Sequence, residues 1–393
     1  MMEGWKYCKL GDVCVIERGG SPRPIDSYIT DSADGLNWIK IGDATEGSKY
    51  ITHTKERIRK EGLKKTRFVH KGDFILSNSM SFGKPYILGI DGCIHDGWLV
   101  IHDKANTFNK SFLYYILSSP TMYREFKRLA VGGVVNNLNS QIVRNVVVAI
   151  PSIREQERIV AELDLLTSII DKQKAQLKEL DNLAQSIFYD MFGNPDENPK
   201  GWDVRQMGEL FDIGSSKRVF ESEWTKEGVP FYRAREIVRL SKSESIESPI
   251  FISEELYASY SKKYGVPTEG DIMITAVGTL GVSYIVKKTD RFYFKDGNIL
   301  WFKNKGLCEA RFIKDEYATD FVKQQIQGNA NAAVVGTYTI MNANKTKVIV
   351  PPLALQKEYV EKIEVIDNQK DTINRSIEES QKLFDYTMDK YFG

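Results

Sequence analysis

The stretch Pro151–Gly193, PSIREQERIVAELDLLTSIIDKQKAQLKELDNLAQSIFYDMFG, returns 200 positions later as Pro351–Gly393, PPLALQKEYVEKIEVIDNQKDTINRSIEESQKLFDYTMDKYFG, and the two align without a gap. Pro151 falls on Pro351, Gln156 on Gln356, Leu183 on Leu383 and Phe192-Gly193 on Phe392-Gly393. In the first copy Ile159, Leu163, Leu166, Ile170, Gln173, Leu177, Leu180, Ala184, Ile187 and Met191 follow a four-three spacing, the seam of a coiled coil. Tyr359, Ile363, Ile366, Lys370, Ile373, Ile377, Ser380, Phe384, Thr387 and Tyr391 keep that spacing in the second copy, with a more polar seam. The spacing predicts two rods of about 36 residues, roughly 54 Å each. An apolar stripe at helical spacing also suits an ordinary bundle helix, but its repetition after two separate blocks points to paired spacers.

The blocks before the rods repeat as well. Gly4-Trp5 through Leu10-Gly11 matches Gly201-Trp202 through Met207-Gly208, and each leads into a short apolar strand, Val13–Ile16 or Leu210–Ile213. Asn37–Asp43 and Pro230–Glu236 read as alternating strands ending on an acid, with Lys40 and Arg233 in register. Lys71–Leu88 aligns with Glu269–Val286 as strand, polar turn, strand, with Gly72/Gly270, Asp73/Asp271, Gly83/Gly281 and Tyr86/Tyr284 coinciding. His95-Asp96-Gly97 faces Lys295-Asp296-Gly297, helical patterns cover Ser111–Leu129 and Cys308–Ile326, and Val134-Val135 meets Val334-Val335. A strand at Val146–Ile150 or Val348–Val350 then feeds each rod.

The expected organisation is therefore a block at 1–150, a rod at 151–193, a linker at 194–200, a second block at 201–350 and a second rod at 351–393. Its fold class is α+β: two similar mixed α/β domains separated by two long helices in an antiparallel coiled coil, with pseudo-two-fold symmetry. The prolines of Gly193-Asn-Pro-Asp-Glu-Asn-Pro-Lys-Gly201 stop the first helix.

The net charge of +1 conceals an asymmetry. Residues 1–150 hold 21 Lys and Arg against 15 Asp and Glu, and 201–350 hold 21 against 19, whereas 151–200 hold 6 against 10 and 351–393 hold 6 against 9. Basic blocks and acidic rods suit a protein whose blocks meet a phosphate backbone. No apolar run approaches a membrane span and the N-terminus lacks the apolar core of a signal peptide, so a cytoplasmic protein is expected. Cys8, Cys14, Cys93 and Cys308 show no paired spacing and are expected as thiols.

Catalytic patterns are missing. Val131-Gly132-Gly133-Val134 lacks the spacing of a dinucleotide loop, there is no P-loop, and Asn194-Pro195-Asp196 and Asn198-Pro199-Lys200 do not make the Asn-Pro-Pro-aromatic tetrad of an adenine methyltransferase. Pro195–Lys200 places two acids and a lysine within a turn-forming linker, the wrong setting for a nuclease. Cys93, His95 and His102 lack zinc-ligand spacing, and Lys295 stands at the counterpart of His95. No catalytic or metal-binding residue is expected.

Phosphate contact is expected of basic residues on polar segments: Arg18, Arg23, Lys40, Lys55, Arg57, Arg59, Lys64, Lys65 and Arg67 in the first block, and Lys217, Arg218, Arg233, Arg235, Arg239, Lys262 and Lys263 in the second. Base-edge contact requires polar side chains on exposed turns. Ser77, Asn78, Ser79, Asn136 and Asn137 have that character, as do Thr275, Thr279, Thr337 and Tyr338.

These features together resemble the specificity subunit of type I restriction-modification systems. The resemblance runs the full length and rests on the Gly-Trp…Leu-Gly opening, on Arg18-Gly-Gly-Ser-Pro-Arg-Pro24 with Trp38-Ile-Lys-Ile-Gly-Asp43, on Glu227-Gly-Val-Pro-Phe-Tyr-Arg-Ala-Arg-Glu236, and on Pro151-Ser-Ile-Arg-Glu-Gln156 opening a long helix. Pro351-Pro-Leu-Ala-Leu-Gln356 departs from the pattern by lacking the acid before the glutamine. The resemblance implies a non-catalytic subunit with two target-recognition domains, each reading half of a split sequence in double-stranded DNA. It implies two methyltransferase subunits carrying S-adenosylmethionine, and motor-nuclease subunits using ATP and Mg, as partners. The alternatives are a coiled-coil adaptor whose blocks bind proteins and, behind it, an enzyme.

Overall fold

The computed structural model describes residues 4–45, 47–78, 83–130, 138–246, 249–328 and 336–393. It divides into two compact units, one of Met1–Ala175 with Asn374–Gly393 and the other of Gln176–Ile373. Each unit thus holds one block and one half of each long helix.

The first unit contains two sheets. One has the order Cys14–Arg18, Trp98–Asp103, Phe74–Ser77, Pro85–Leu88, Tyr50–Ile51; the other has the order Glu56–Ile58, Leu36–Ile39, Gly92–Ile94, Arg67–Val69. Strand alternation assigns side chains to different cores. On the strand Trp98–Asp103, Leu99 and Ile101 join Phe112, Ile116 and the first long helix, while Trp98 and Val100 face a second cluster with Ile39, Ile75 and Ile94.

The second unit repeats the plan. Its sheets run Phe211–Gly214, Ile299–Asn304, Ile272–Thr275, Ser283–Ile285, and Trp224–Thr225, Ile250–Ile252, Val229–Tyr232, Tyr293–Phe294. Leu300 and Phe302 point to the helical core, and Ile299 and Trp301 to the other. In both units a two-stranded ribbon, Lys6–Lys9 with Val147–Ile150 or Asp203–Gln206 with Lys347–Val350, leads into a long helix.

The long helices span Ile153–Phe192 and Leu353–Phe392, 40 residues each, or about 60 Å. They pair antiparallel inside each unit. In the first, Tyr391 Oη meets Arg158 at 3.1 Å and Glu162 at 2.9 Å, and Gln173 donates to Ser376 at 2.7 Å. In the second, Lys370 pairs with Asp181 at 2.6 Å and Phe188 packs on Tyr359. Ile159, Leu163, Leu166, Ile170, Ile363 and Ile366 are buried along this seam, and Leu177, Leu180, Ile187, Ile373, Ile377 and Phe384 are half-buried.

Both helices are fastened to their blocks in one way. Fully buried Gln156 accepts from Asn109 N–H at 2.8 Å and donates to Thr107 O and Pro151 O, while Gln356 accepts from Glu309 N–H at 2.9 Å and donates to Pro351 O. The absent acid before Gln356 therefore leaves this fastening intact. Phe392 packs on Phe112 in the first unit, and Phe192 packs on Phe312 in the second.

Several local expectations change. Each continuous helical pattern is two helices, Lys110–Ser118 then Pro120–Ala130, and Ala310–Glu316 then Asp320–Gly328. Ser119 is held extended before Pro120, as a residue preceding proline prefers, and Thr319 turns its hydroxyl back to Glu316 O at 2.6 Å. Asp43 and Glu236 do not end strands. They reach back to the N–H of Lys40 and Arg233, both at the start of a helical turn, at 2.8 and 2.9 Å. The first-strand region contains a one-turn helix, Leu10–Val13 or Met207–Leu210, before the strand proper. Val134-Val135 and Val334-Val335 lie outside the described residues.

Candidate nucleic-acid interface

In each unit the chain leaving the strand Cys14–Arg18 or Phe211–Gly214 is held against an x-Asp-Gly turn. In the first, the loop passes so closely that a Cβ on Gly19 would stand 2.2 Å from His95 O. Ser21 donates to the Asp96 carboxylate at 2.7 Å and Arg18 Nε to Asp96 O at 2.9 Å. The Ser21 hydroxyl, aided by the charges of His95 and Arg18, holds the Asp96 carboxyl below its ordinary range. Burial keeps the His95 imidazole below its usual pKa, and its Nδ1 accepts from Gly97 N–H at 2.6 Å.

In the second unit Arg218 Nε donates to Asp296 at 2.9 Å, so Arg18/Arg218 and Asp96/Asp296 both recur at the 200-residue spacing. Ser215 donates to Ile299 O at 3.0 Å, Ser216 to Phe294 O at 2.6 Å, and Lys217 N–H to Tyr293 Oη at 3.0 Å. Val219 is buried. This loop is immobilised through backbone and hydroxyl contacts, which frees Lys217 and Phe220 to face solvent.

A second segment packs on each loop, and its place in the topology is the same in both units. The turn Lys60–Lys65 follows the strand Glu56–Ile58, and the helix Glu254–Tyr264 follows Ile250–Ile252; these strands lie antiparallel to Leu36–Ile39 and Val229–Tyr232, each of which pairs in turn with a parallel strand, Gly92–Ile94 or Tyr293–Phe294. Lys65 Nζ lies 5.2 Å above the Tyr28 ring, and a Cβ on Gly62 would touch Tyr28 and Pro22. In the second unit Tyr260 Oη approaches Arg218 O at 3.4 Å, and Lys217 Nζ lies 6.0 Å from the Tyr264 ring. The exposed residues of the two faces include Arg59, Lys60, Leu63, Lys64 and Lys65 in one, with the acid Glu61 among them, and Lys217, Arg218, Phe220, Lys262, Lys263 and Tyr264 in the other, with the acid Glu221. Cations clustered around Leu63 in one face, and around Phe220 and Tyr264 in the other, suit a polyanion that also offers flat apolar surface.

The family model for the type I restriction modification DNA specificity domain matches residues 2–182 and again 199–381. The chain belongs to this family. It is 25% identical over 335 residues to a putative type I restriction enzyme specificity subunit of Haemophilus influenzae, covering 81% of this chain and 82% of the relative. It is also 25% identical over 280 residues to a type I specificity subunit of Methanocaldococcus jannaschii, covering 66% and 63%. Among solved structures, the S subunit of M. genitalium shares the fold with a TM-score of 0.58 at 14% identity, over 99% of this chain and 96% of that one. A chain from a type I R-M system complex gives 0.61 at 17%, over 100% and 98%. This is a type I specificity subunit with a role in DNA recognition.

The structure distributes the residues expected at the interface unevenly. Arg18 ends the strand Cys14–Arg18, and Arg23, Lys217 and Arg218 sit on the loops after that strand and after Phe211–Gly214, Arg23 within 3.7 Å of Asp96. Lys40 is paired with Glu56, and Arg233 and Arg235 both bind buried Glu236. Ser77, Asn78, Thr275 and Tyr338 are buried, not displayed on exposed turns. Ser77 and Thr275 accept from Lys84 N–H and Val282 N–H at 2.9 and 3.0 Å, closing their own turns. Asn78 donates to Asp96 O at 2.9 Å, and the Tyr338 hydroxyl lies 2.6 Å from that of Thr346. Thr279 and Thr337 are exposed. Ser79, Asn136 and Asn137 lie outside the described residues. Leu63, Phe220 and Tyr264 were not among the expected residues, because selecting polar and basic types passes over apolar side chains left in water. Among the described residues no group of His, Cys, Asp and Glu is placed to hold a metal ion, and no helix is long and apolar enough to cross a membrane.

Proposed function

We propose that this subunit reads a two-part sequence in double-stranded DNA, one half per unit, and positions methyltransferase and motor-nuclease subunits on it in the cytoplasm without catalysing a step itself. The observation that carries the reading is the repetition of one framework with different surface residues. The Arg–Asp clamp, the Gln fastening and the core strands recur, whereas the residues on the basic faces differ: Arg59, Lys60, Leu63, Lys64 and Lys65 against Lys217, Phe220, Lys262, Lys263 and Tyr264. Equal frameworks with unequal faces suit two readers of unequal half-sites.

The long helices supply the second part of the reading. Besides the seam, Leu165 and Leu183 of the first helix and their counterparts Val365 and Leu383 of the second are exposed. Apolar side chains repeated off the seam favour a partner helix for each long helix, as two methyltransferase subunits would provide. S-adenosylmethionine would belong to those methyltransferases, and ATP and Mg to the motor-nuclease subunits. The helices would also fix the number of unread base pairs between half-sites, since neither helix is interrupted between its two fastened ends.

Exchanging residues 1–150 for the corresponding block of another family member, in complex with the methyltransferase partner, tests the assignment. Methylation mapping should show one half of the recognised sequence changed and the other retained. A change in both halves would refute one unit per half.

A further inference from the structure

We propose that Phe220 is a base-contacting residue of the second unit, stacking its ring on a base of that half-site. The inference rests on the reading of the basic faces as DNA-binding surfaces. Phe220 is 60% exposed, yet the backbone that carries it is fixed: Val219 is buried, Ser215 and Ser216 are bonded to the neighbouring strands, and Phe220 N–H donates to Glu223 at 2.7 Å. A ring presented on an immobilised loop gives up little conformational freedom on contact, having only two side-chain torsions to settle.

The surroundings select the ligand. Lys217 extends from the same loop over Tyr264, and Lys262 and Lys263 stand on the last turn of the helix whose Tyr260 touches the loop at Arg218. Of the nearby acids, Asp296 is paired with Arg218 and Glu223 is bonded to the backbone, leaving Glu221 exposed. A protein partner would call for a continuous apolar patch; Phe220 and the half-exposed Tyr264 ring, set among three lysines, match a phosphate backbone flanking bases, where the cations hold the strand and a ring meets a π-face. The first unit has an aliphatic counterpart on its corresponding face, Leu63, 41% exposed between Lys60 and Lys64. Without a π-face, Leu63 suits apolar contact with a thymine methyl.

The test uses the full chain with its methyltransferase partner and a duplex carrying the mapped target, alongside duplexes with one half or the other scrambled. Phe220→Ala should bind the target about tenfold more weakly. That loss should vanish when the half read by the second unit is already scrambled. Phe220→Trp should keep the affinity, and the indole it introduces should be quenched by the target duplex, a readout independent of how well the alanine variant folds. Leu63→Ala should weaken binding only through the other half. Equal affinity of Phe220→Ala and wild type, or unquenched emission from Phe220→Trp, would overturn the role of Phe220 while leaving DNA reading intact. A wild-type complex that binds no duplex in preference to scrambled DNA would overturn the reading itself.

Discussion

Glu316 gives a sharp test of the second unit's interior. It is fully buried, one carboxyl oxygen accepts from Ile349 N–H at 2.7 Å, and the other has no partner among the described residues. Burial raises its pKa well above 4.5, with the single backbone hydrogen bond opposing that rise. The folded chain therefore holds a proton that the unfolded chain releases above about pH 4.5. Stability from this group is intact below the unfolded pKa and falls as pH rises toward the folded one, by up to about 1.4 kcal/mol per pH unit. Glu316→Gln keeps a carbonyl for Ile349 N–H and cannot titrate. Urea denaturation of the full chain at pH 5, 6, 7 and 8, with hydrogen exchange read at Lys347–Val350, should show wild type losing stability relative to the variant as pH rises. The first unit has Ile116 at the corresponding position, so exchange at Val147–Ile150 should not register the difference. Parallel pH profiles for the two proteins would refute the claim that Glu316 folds in its neutral form.

Replacing Gln156 or Gln356 by Leu leaves a backbone N–H, of Asn109 or Glu309, without its acceptor. Each change should cost about 1–3 kcal/mol, and hydrogen exchange should locate the first in residues 107–113 and the second in residues 307–313. Lys262→Ala with Lys263→Ala should lower affinity for all duplexes alike and reduce the steepness of the salt dependence by roughly two counterions; an unchanged slope would remove those lysines from the phosphate contacts.

The architecture was legible because a repeat at 200 residues declares two units whatever their detailed packing. The seam was legible because burial along a long helix follows directly from spacing, as Ile159, Leu163, Ile363 and Ile366 illustrate. The candidate site was less so. Ser77 and Thr275 have the side chains of exposed turns, but their hydroxyls turn inward to satisfy the turn's own backbone. Whether a hydroxyl closes its turn or faces solvent depends on neighbouring strands far along the chain. Arg18 and Arg218 were expected as phosphate ligands, but in the fold they engage Asp96 and Asp296, 78 residues downstream in each unit. The pairs share one offset from the repeat, and that shared offset was the available signal. Phe220 gave none, since an apolar residue's exposure is a property of the finished fold.

The decisive measurement is a map of adenine methylation by the wild-type chain with its methyltransferase partner on a plasmid library of random sequence. Two units held by uninterrupted helices should give two short specified blocks separated by a fixed number of unspecified base pairs, with no methylation when the partner is omitted. One uninterrupted block, a gap of variable length, or methylation by this chain alone would contradict it.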